Sequence, residues 1–333
     1  MRAGFPARAG VRAVAVREFD VREFGARGFD VRTGDRGPAR RENDCAAWTA
    51  DNERFNAVGR AAIGMTTVRD VREKAGTTPI TMLTAYDATT AAVADEAGID
   101  VLLVGDSMGN TDLGYDTTLP VTVDDVASRT AAVARGADEA LVVADMPFLS
   151  VGVEEAESIE NCGRMLKEAD ADAVKLESGD HTVELTERLV QLGIPVMAHL
   201  GLTPQRMKET GYARQGTTRD EGHRILDLAR KHEDAGAFCL VLEHVPANLA
   251  AQVTDAVSVP TIGIGAGPDC DGQVLVVDDV LGLSPSAPPF AKQYGDLREQ
   301  MRGAMAAYRE EVESGAFPAE EHSHVADELD DLY

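Results

Sequence analysis

The sequence predicts an α/β chain folded as a single (β/α)8 barrel, the TIM-barrel class. Three observations predict it. Short apolar runs recur eight times between residues 80 and 282. Most intervals between them carry apolar residues at helical spacing and close near a glycine, where a helix stops. Strand alternating with helix means parallel pairing, and eight such units in about 250 residues fill one barrel. A doubly wound open sheet is the runner-up. It is weakened because no GxGxxG opens a helix after the first strand, and "GIGAG" at 263–267 matches that pattern only in part, on a late strand.

The elements follow in order. "MTTVRDVREKAG" from Met65 reads as a helix-like entry to the domain. "ITMLTA" (80–85) is the first strand, and "TAAVADEAGID" (90–100) its helix. "VLLVGDS" (101–107), "ALVVADM" (140–146), "AVKLES" (173–178) and "PVMAHLG" (195–201) are strands two to five. "ILDLARKHEDAGA" (225–237) is a helix leading into "FCLVLE" (238–243), the sixth strand. "PTIGIGAG" (260–267) and "VLVVDDVLG" (274–282) complete the set. The runs are apolar throughout rather than alternating, as strands covered on both faces require.

Residues 1–64 differ from the rest. They hold a degenerate Arg/Phe/Asp repeat, "VREFDVREFGARGFDVRTGDRGPARR", with no core-forming period, and the only tryptophan, Trp48. They carry 12 Arg, no Lys and 9 acids, a net charge of +3; residues 65–333 carry 20 basic and 48 acidic residues, a net charge of −28. The expected organisation is therefore an N-terminal extension over 1–64, disordered or upstream of a start at Met65; a catalytic barrel over 65–318; and an acidic tail over 319–333. A total of −25 excludes nucleic-acid and anionic-membrane partners. An acid-rich surface with only six lysines suits a salt-rich cytoplasm, where screening weakens self-repulsion. No apolar run approaches the ~20 residues of a membrane span. Cys45, Cys162, Cys239 and Cys270 show no CxxC or metal spacing and read as free thiols of a reducing compartment.

Polar residues crowd the strand ends: Asp87 beyond the first, Asp106 and Ser107 on the second, Asp145 on the third, Lys175 and Glu177 on the fourth, His199 on the fifth, Glu243 on the sixth. In a barrel these ends form the catalytic face. Singly, each acid could be a helix cap or turn residue. Together, carboxylates gathered at one mouth repel unless they share a cation, and oxygen-only ligands point to a hard metal such as Mg²⁺. The glycine run at 263–267 fits either a tight turn or an anion site.

The motifs "TAYD" (84–87), "VGDSMGN" (104–110), "TTLPVTVDD" (117–125), "ADMPF" (144–148), "VKLE" (174–177), "AHLGLTPQ" (198–205), "LVLEHVP" (240–246), "GIGAG" (263–267) and "DGQVLVVDDVLG" (271–282) resemble, in this order, the ketopantoate (3-methyl-2-oxobutanoate) hydroxymethyltransferase family. The resemblance runs from about 65 to 324. It implies a Mg²⁺-dependent barrel enzyme of pantothenate and coenzyme A biosynthesis, one Mg²⁺ per subunit. Such an enzyme moves a one-carbon unit from 5,10-methylenetetrahydrofolate, or a related methylene-pterin co-substrate, onto 3-methyl-2-oxobutanoate to give 2-dehydropantoate. By motif match it implies that Asp106 and Asp145 bind metal and substrate, that Glu177 belongs to the metal site, that Ser107 and Lys175 hold the keto acid, and that Glu243 is the base with His199 beside it. It also implies a homo-oligomer, with a decameric ring among the forms. The chemistry asks for the same parts: an enolate stabilised by chelation to Mg²⁺, a carboxylate base in a partly apolar site, and attack on the pterin methylene carbon. Ala213 and Arg214 depart from the family's loop after the fifth strand. A phosphoenolpyruvate mutase/isocitrate lyase-type C–C bond enzyme is the alternative. Its Lys-Lys-Cys-Gly-His-like loop is absent from the sequence. A non-catalytic scaffold barrel would have lost some of the strand-end polar residues.

Overall fold

A computed structural model describes residues 65–326; the expectations for 1–64 and for 327–333 lie outside the described residues. Eight strands form a closed, all-parallel barrel in sequence order: β1 (Ile80–Thr84), β2 (Val101–Val104), β3 (Leu141–Asp145), β4 (Ala173–Glu177), β5 (Val196–Gly201), β6 (Cys239–Glu243), β7 (Thr261–Ile264) and β8 (Gly272–Leu275), with β8 pairing back to β1. All residues of β2 and β3 are buried, which is why these segments read as unbroken apolar runs.

Strand side chains alternate, so every second residue faces the barrel axis. Met82, Leu103, Val143, Met197, Val241, Ile262 and Val274 pack together as one such set. Continuing the alternation from Val143 gives Asp145; from Ala173, Lys175 and then Glu177; from Met197, His199; and from Val241, Glu243. The polar residues are thus the uppermost members of the inward-facing rows. Strand register sets them side by side: Asp145 opposite Lys175, Glu177 opposite His199, and Gly201 opposite Glu243.

The helices α1 (Val68–Glu73), α2 (Ala88–Glu96), α3 (Met108–Thr111), α4 (Val123–Ala134), α5 (Glu155–Lys167), α6 (Val183–Gln191), α7 (Met207–Thr210), α8 (Arg219–Asp234), α9 (Ala247–Ala256), α10 (Val277–Leu281) and α11 (Leu297–Ser314) follow the strands or flank the barrel. Local chemistry starts them. Thr67, Thr122 and Thr218 each open a capping box, closed three residues on by Asp70, Asp125 and Glu221. Outward-facing strand residues such as Leu102, Val104 and Val142 pack against Val126 and Val133 of α4, and Leu240 and Leu242 against Ile225 and Leu228 of α8.

One expected strand is shorter than its apolar run. "VLVVDDVLG" splits into the end of β8 and the helix α10. Asp278 and Asp279 fall in the first helical turn, where acid is favoured, and Gly282 ends the helix in the left-handed region at φ 72°. Among the described residues no helix is long and apolar enough to cross a membrane. Cys162, Cys239 and Cys270 are free thiols, as the spacing suggested; Cys45 lies outside the described residues.

Candidate active site

The strand ends enclose a cavity of about 140 Å³. One wall is polar: Asp106, Asp145, Lys175, Glu177, His199 and Glu243 all line it, with Ser107 at its edge. Apolar side chains complete the lining: Leu103, Val241, Ile264 and Val274 from the strands, with Pro204 and Tyr212 from the loop after β5. Every residue given a role by the family resemblance reaches this cavity. Asp87 does not. It caps α2, accepting from the N–H groups of Thr89 at 2.8 Å and Thr90 at 2.9 Å and from the Thr90 hydroxyl at 2.7 Å. The glycine run after β7 is a packed turn: a Cβ on Gly265 would meet the Phe290 ring at 2.9 Å, and one on Gly267 would meet Ala247 at 2.4 Å.

The polar wall is a continuous chain of charges. Asp145 Oδ2 accepts from the Asp106 main-chain N–H at 3.2 Å. Asp145 Oδ1 lies 2.8 Å from Lys175 Nζ, and Lys175 Nζ lies 3.3 Å from His199 Nδ1. His199 Nε2 in turn lies 3.1 Å from Glu243 Oε2. Burial works against the Lys175 ammonium, but the charges of Asp145 and Asp106 outweigh it and raise its pKa. Burial and that same ammonium lower the pKa of His199. A neutral imidazole that accepts from Lys175 at Nδ1 carries its proton on Nε2, facing the Glu243 carboxylate.

The acids are strained electrostatically. Burial, then the Asp145 charge, push Asp106 up to about 7. Burial, then the Asp106 charge, hold Glu177 well above its usual range. Despite their close charged neighbours, Asp145 Oδ1 and His199 Nε2 are buried without a well-directed hydrogen bond. No group of three or more His, Cys, Asp or Glu among the described residues is set to grip an ion unaided. Two buried, mutually repelling carboxylates with an undirected oxygen do fit a hard divalent cation that takes its remaining ligands from substrate and water.

Three residues of the site had no role assigned from the sequence. Gln205 Nε2 donates to Asp106 Oδ2 at 3.0 Å and to the Met146 carbonyl at 2.9 Å. Its main-chain N–H reaches both Glu177 oxygens, at 3.1 and 3.2 Å. The Tyr86 hydroxyl lies 2.9 Å from Ser107 Oγ. Thr118 lines the cavity with a buried hydroxyl beside Asp106. All three stand inside the quoted motifs "AHLGLTPQ", "TAYD" and "TTLPVTVDD"; their neutrality hid them.

A second cavity, about 200 Å³, opens beneath the loop after β5. Of its charged residues, Arg206 pairs with Glu209 at 2.8 Å, Arg224 reaches Asp180 at 3.7 Å, and Glu221 accepts from the Thr217 and Thr218 N–H groups.

Fold and site together define a barrel enzyme with carboxylates, an ammonium and an imidazole converging on a small cavity at the strands' C-terminal ends. The chain belongs to the ketopantoate hydroxymethyltransferase family, whose model matches residues 65–320. It is 70% identical over 269 residues, 81% of this chain and 100% of the relative, to a 3-methyl-2-oxobutanoate hydroxymethyltransferase of Haloarcula marismortui. It is 69% identical over 265 residues, 80% of this chain and 99% of the relative, to the enzyme of that name from Natronomonas pharaonis. Among solved structures it is similar to 2,3-dimethylmalate lyase, a PEP mutase/isocitrate lyase superfamily member. That likeness has a TM-score of 0.47 and 18% identity, covers 75% of this chain and 87% of that one, and carries no chemistry across.

Proposed function

We propose that the protein transfers a hydroxymethyl group to 3-methyl-2-oxobutanoate, giving 2-dehydropantoate. The one-carbon donor is 5,10-methylenetetrahydrofolate or a related methylene-pterin. The family membership supports the reaction, and one observation carries the mechanism: Glu243 lines the cavity with a neutral His199 3.1 Å away, which links it to the Asp106–Asp145–Lys175 cluster. Asp106 and Asp145 would hold Mg²⁺, with Glu177 beside them; the ion supplies electrophilic polarisation of the keto oxygen, which acidifies C3.

The chain's own groups do the rest. Lys175 and Ser107 hold the keto acid's carboxylate, the ammonium by charge and the hydroxyl, backed by Tyr86, by hydrogen bonding. Leu103, Val241, Ile264 and Val274 receive the isopropyl end and keep water off C3. Glu243 takes the C3 proton, with the His199 imidazole 3.1 Å from its carboxylate. The resulting carbanion equivalent bonds to the donor's methylene carbon, both of whose C–N bonds break in the overall transfer. Water supplies the product hydroxyl, its other proton and the one taken from C3 pass to the two pterin nitrogens, and the free pterin leaves. Working conditions are a salt-rich cytoplasm, in keeping with the −28 charge of residues 65–333.

The test isolates proton transfer. Enzyme, Mg²⁺ and 3-methyl-2-oxobutanoate are incubated in D₂O without pterin, and C3 deuterium uptake is followed by NMR. Wild type exchanges. Glu243→Gln binds the keto acid by calorimetry but loses roughly 10²–10⁴-fold in exchange rate, the range of a general base. Unchanged exchange in that variant would remove Glu243 from the role and leave His199 as the base.

A further inference from the structure

We propose that Gln205 is the positioning residue of the cation site: its two N–H donor groups hold Asp106 and Glu177 in one arrangement and fasten the loop after β5 over the keto-acid cavity. The inference rests on the reading of Asp106 and Asp145 as cation ligands.

Gln205 stands in the short 3-10 turn Pro204–Arg206 that follows β5. Its contacts leave that loop for three other strands. Nε2 reaches Asp106, just past β2, and the Met146 carbonyl, just past β3; the main-chain N–H reaches Glu177, the last residue of β4. A single residue therefore ties together the ends of the three strands that carry the acids.

The residue type matters. A primary amide offers two donors in a fork, and both are used here on acceptors, one a carboxylate and one a carbonyl. A carboxylate at this position would set acceptor against acceptor and add a fourth negative charge. An ammonium would compete with the cation. The amide orients Asp106 while leaving the charge of the cluster intact, so attraction for a divalent ion is undiminished. Groups that orient metal ligands in this way typically contribute 10–100-fold to metal affinity.

The same turn places the cavity's roof. Pro204 precedes Gln205, and Tyr212 lies a few residues on; both line the keto-acid cavity. One residue thus joins the acids to the turn that bears Pro204, reaching Asp106 through its side chain and Glu177 through its main-chain N–H.

The experiment uses the full chain and Mg²⁺ alone as probe. Calorimetry measures Mg²⁺ affinity for wild type, Gln205→Leu, Gln205→Met and Asp106→Asn, with circular dichroism and thermal melting to establish folding. The expected result is a 10–100-fold loss of affinity in both Gln205 variants. Turnover should need correspondingly more Mg²⁺ for half-saturation, with most of kcat restored when Mg²⁺ saturates. A merely structural role would lower melting temperature and kcat and leave Mg²⁺ affinity alone; that result overturns the proposal. If wild type binds Mg²⁺ and Asp106→Asn does not, equal affinity in wild type and Gln205→Leu sinks the Gln205 assignment while the cation reading stands. If wild type binds no Mg²⁺, both fall.

Discussion

Asp87 and Asp106 each follow an apolar strand, yet they do opposite work. Asp87 accepts the first free N–H groups of α2, and although burial opposes it, those bonds keep its carboxyl below the usual carboxylate range. Asp106 is buried beside Asp145 and is pushed the other way. Asp87→Ala should therefore cost about 1 kcal/mol of stability, the usual worth of an N-cap, and leave Mg²⁺ binding and turnover unchanged. With a depressed folded-state pKa, the Asp87 contribution is present above the ordinary carboxylate range and disappears as pH falls through the depressed value. Melting curves of wild type and Asp87→Ala should accordingly converge in acid. Asp106→Asn should show the reverse pattern: melting near wild type, and turnover that no longer responds to Mg²⁺. If metal-free wild type stripped with EDTA turned over at full rate, the cation account would fail for Asp106 and Asp145 alike. These contrasts mark what the sequence can reveal of a site. Asp145, Lys175, Glu177, His199 and Glu243 stand out because an ionisable group at an inward-facing strand position has no stabilising purpose, and Asp106 because it follows a buried strand. Gln205 and Thr118 do not stand out. Both are neutral, both lie outside the strands, and their contacts are made only when the barrel closes.

At the level of elements, the top of β5 shows how closely the backbone is fitted to the chemistry. Gly201 has φ 98°, and a Cβ there would lie 2.2 Å from the Glu243 carbonyl oxygen and 2.8 Å from Val245. The Leu202 N–H donates to that same carbonyl at 2.8 Å. Only glycine lets β5 pass so near the last residue of β6. Gly201→Ala should force the two strand ends apart, at a cost of about 1–3 kcal/mol in stability. It should also displace Glu243 from C3, so deuterium exchange should fall more steeply than keto-acid binding. Melting temperature and exchange equal to wild type would show that the strand ends accommodate the methyl group without moving. The same scale explains where the sequence misled. The run over 274–282 is apolar enough for one strand, but two acids and a closing glycine turn its second half into α10. Local composition fixed the strand starts well; the ends depend on which side of the barrel wall the next residue meets.

On the scale of the whole molecule, α11 has no place in the barrel's core. None of its 18 residues is buried, and Met301, Met305, Tyr308 and Val312, spaced to share one helical face, are 46–63% exposed. An amphipathic helix of that length gains its stability from burying such a face. A second copy of the chain is the proposed occupant. Charge bears on this as well. Each copy brings −28 over residues 65–333, so association requires either salt to screen the repulsion or an interface kept nearly free of acid. The apolar row on α11 would offer the second, and added KCl would supply the first. Sedimentation of the full chain should show a defined oligomer at high KCl that dissociates as salt is withdrawn. Met305→Glu with Tyr308→Glu should give a smaller species at every KCl concentration, because each acid would be buried against its own kind. Because α11 lines none of the keto-acid cavity, the smaller species should still exchange the C3 proton if it remains folded. A wild-type chain that sediments as a monomer at high KCl, or a double variant that assembles as wild type does, would rule out α11 as the contact.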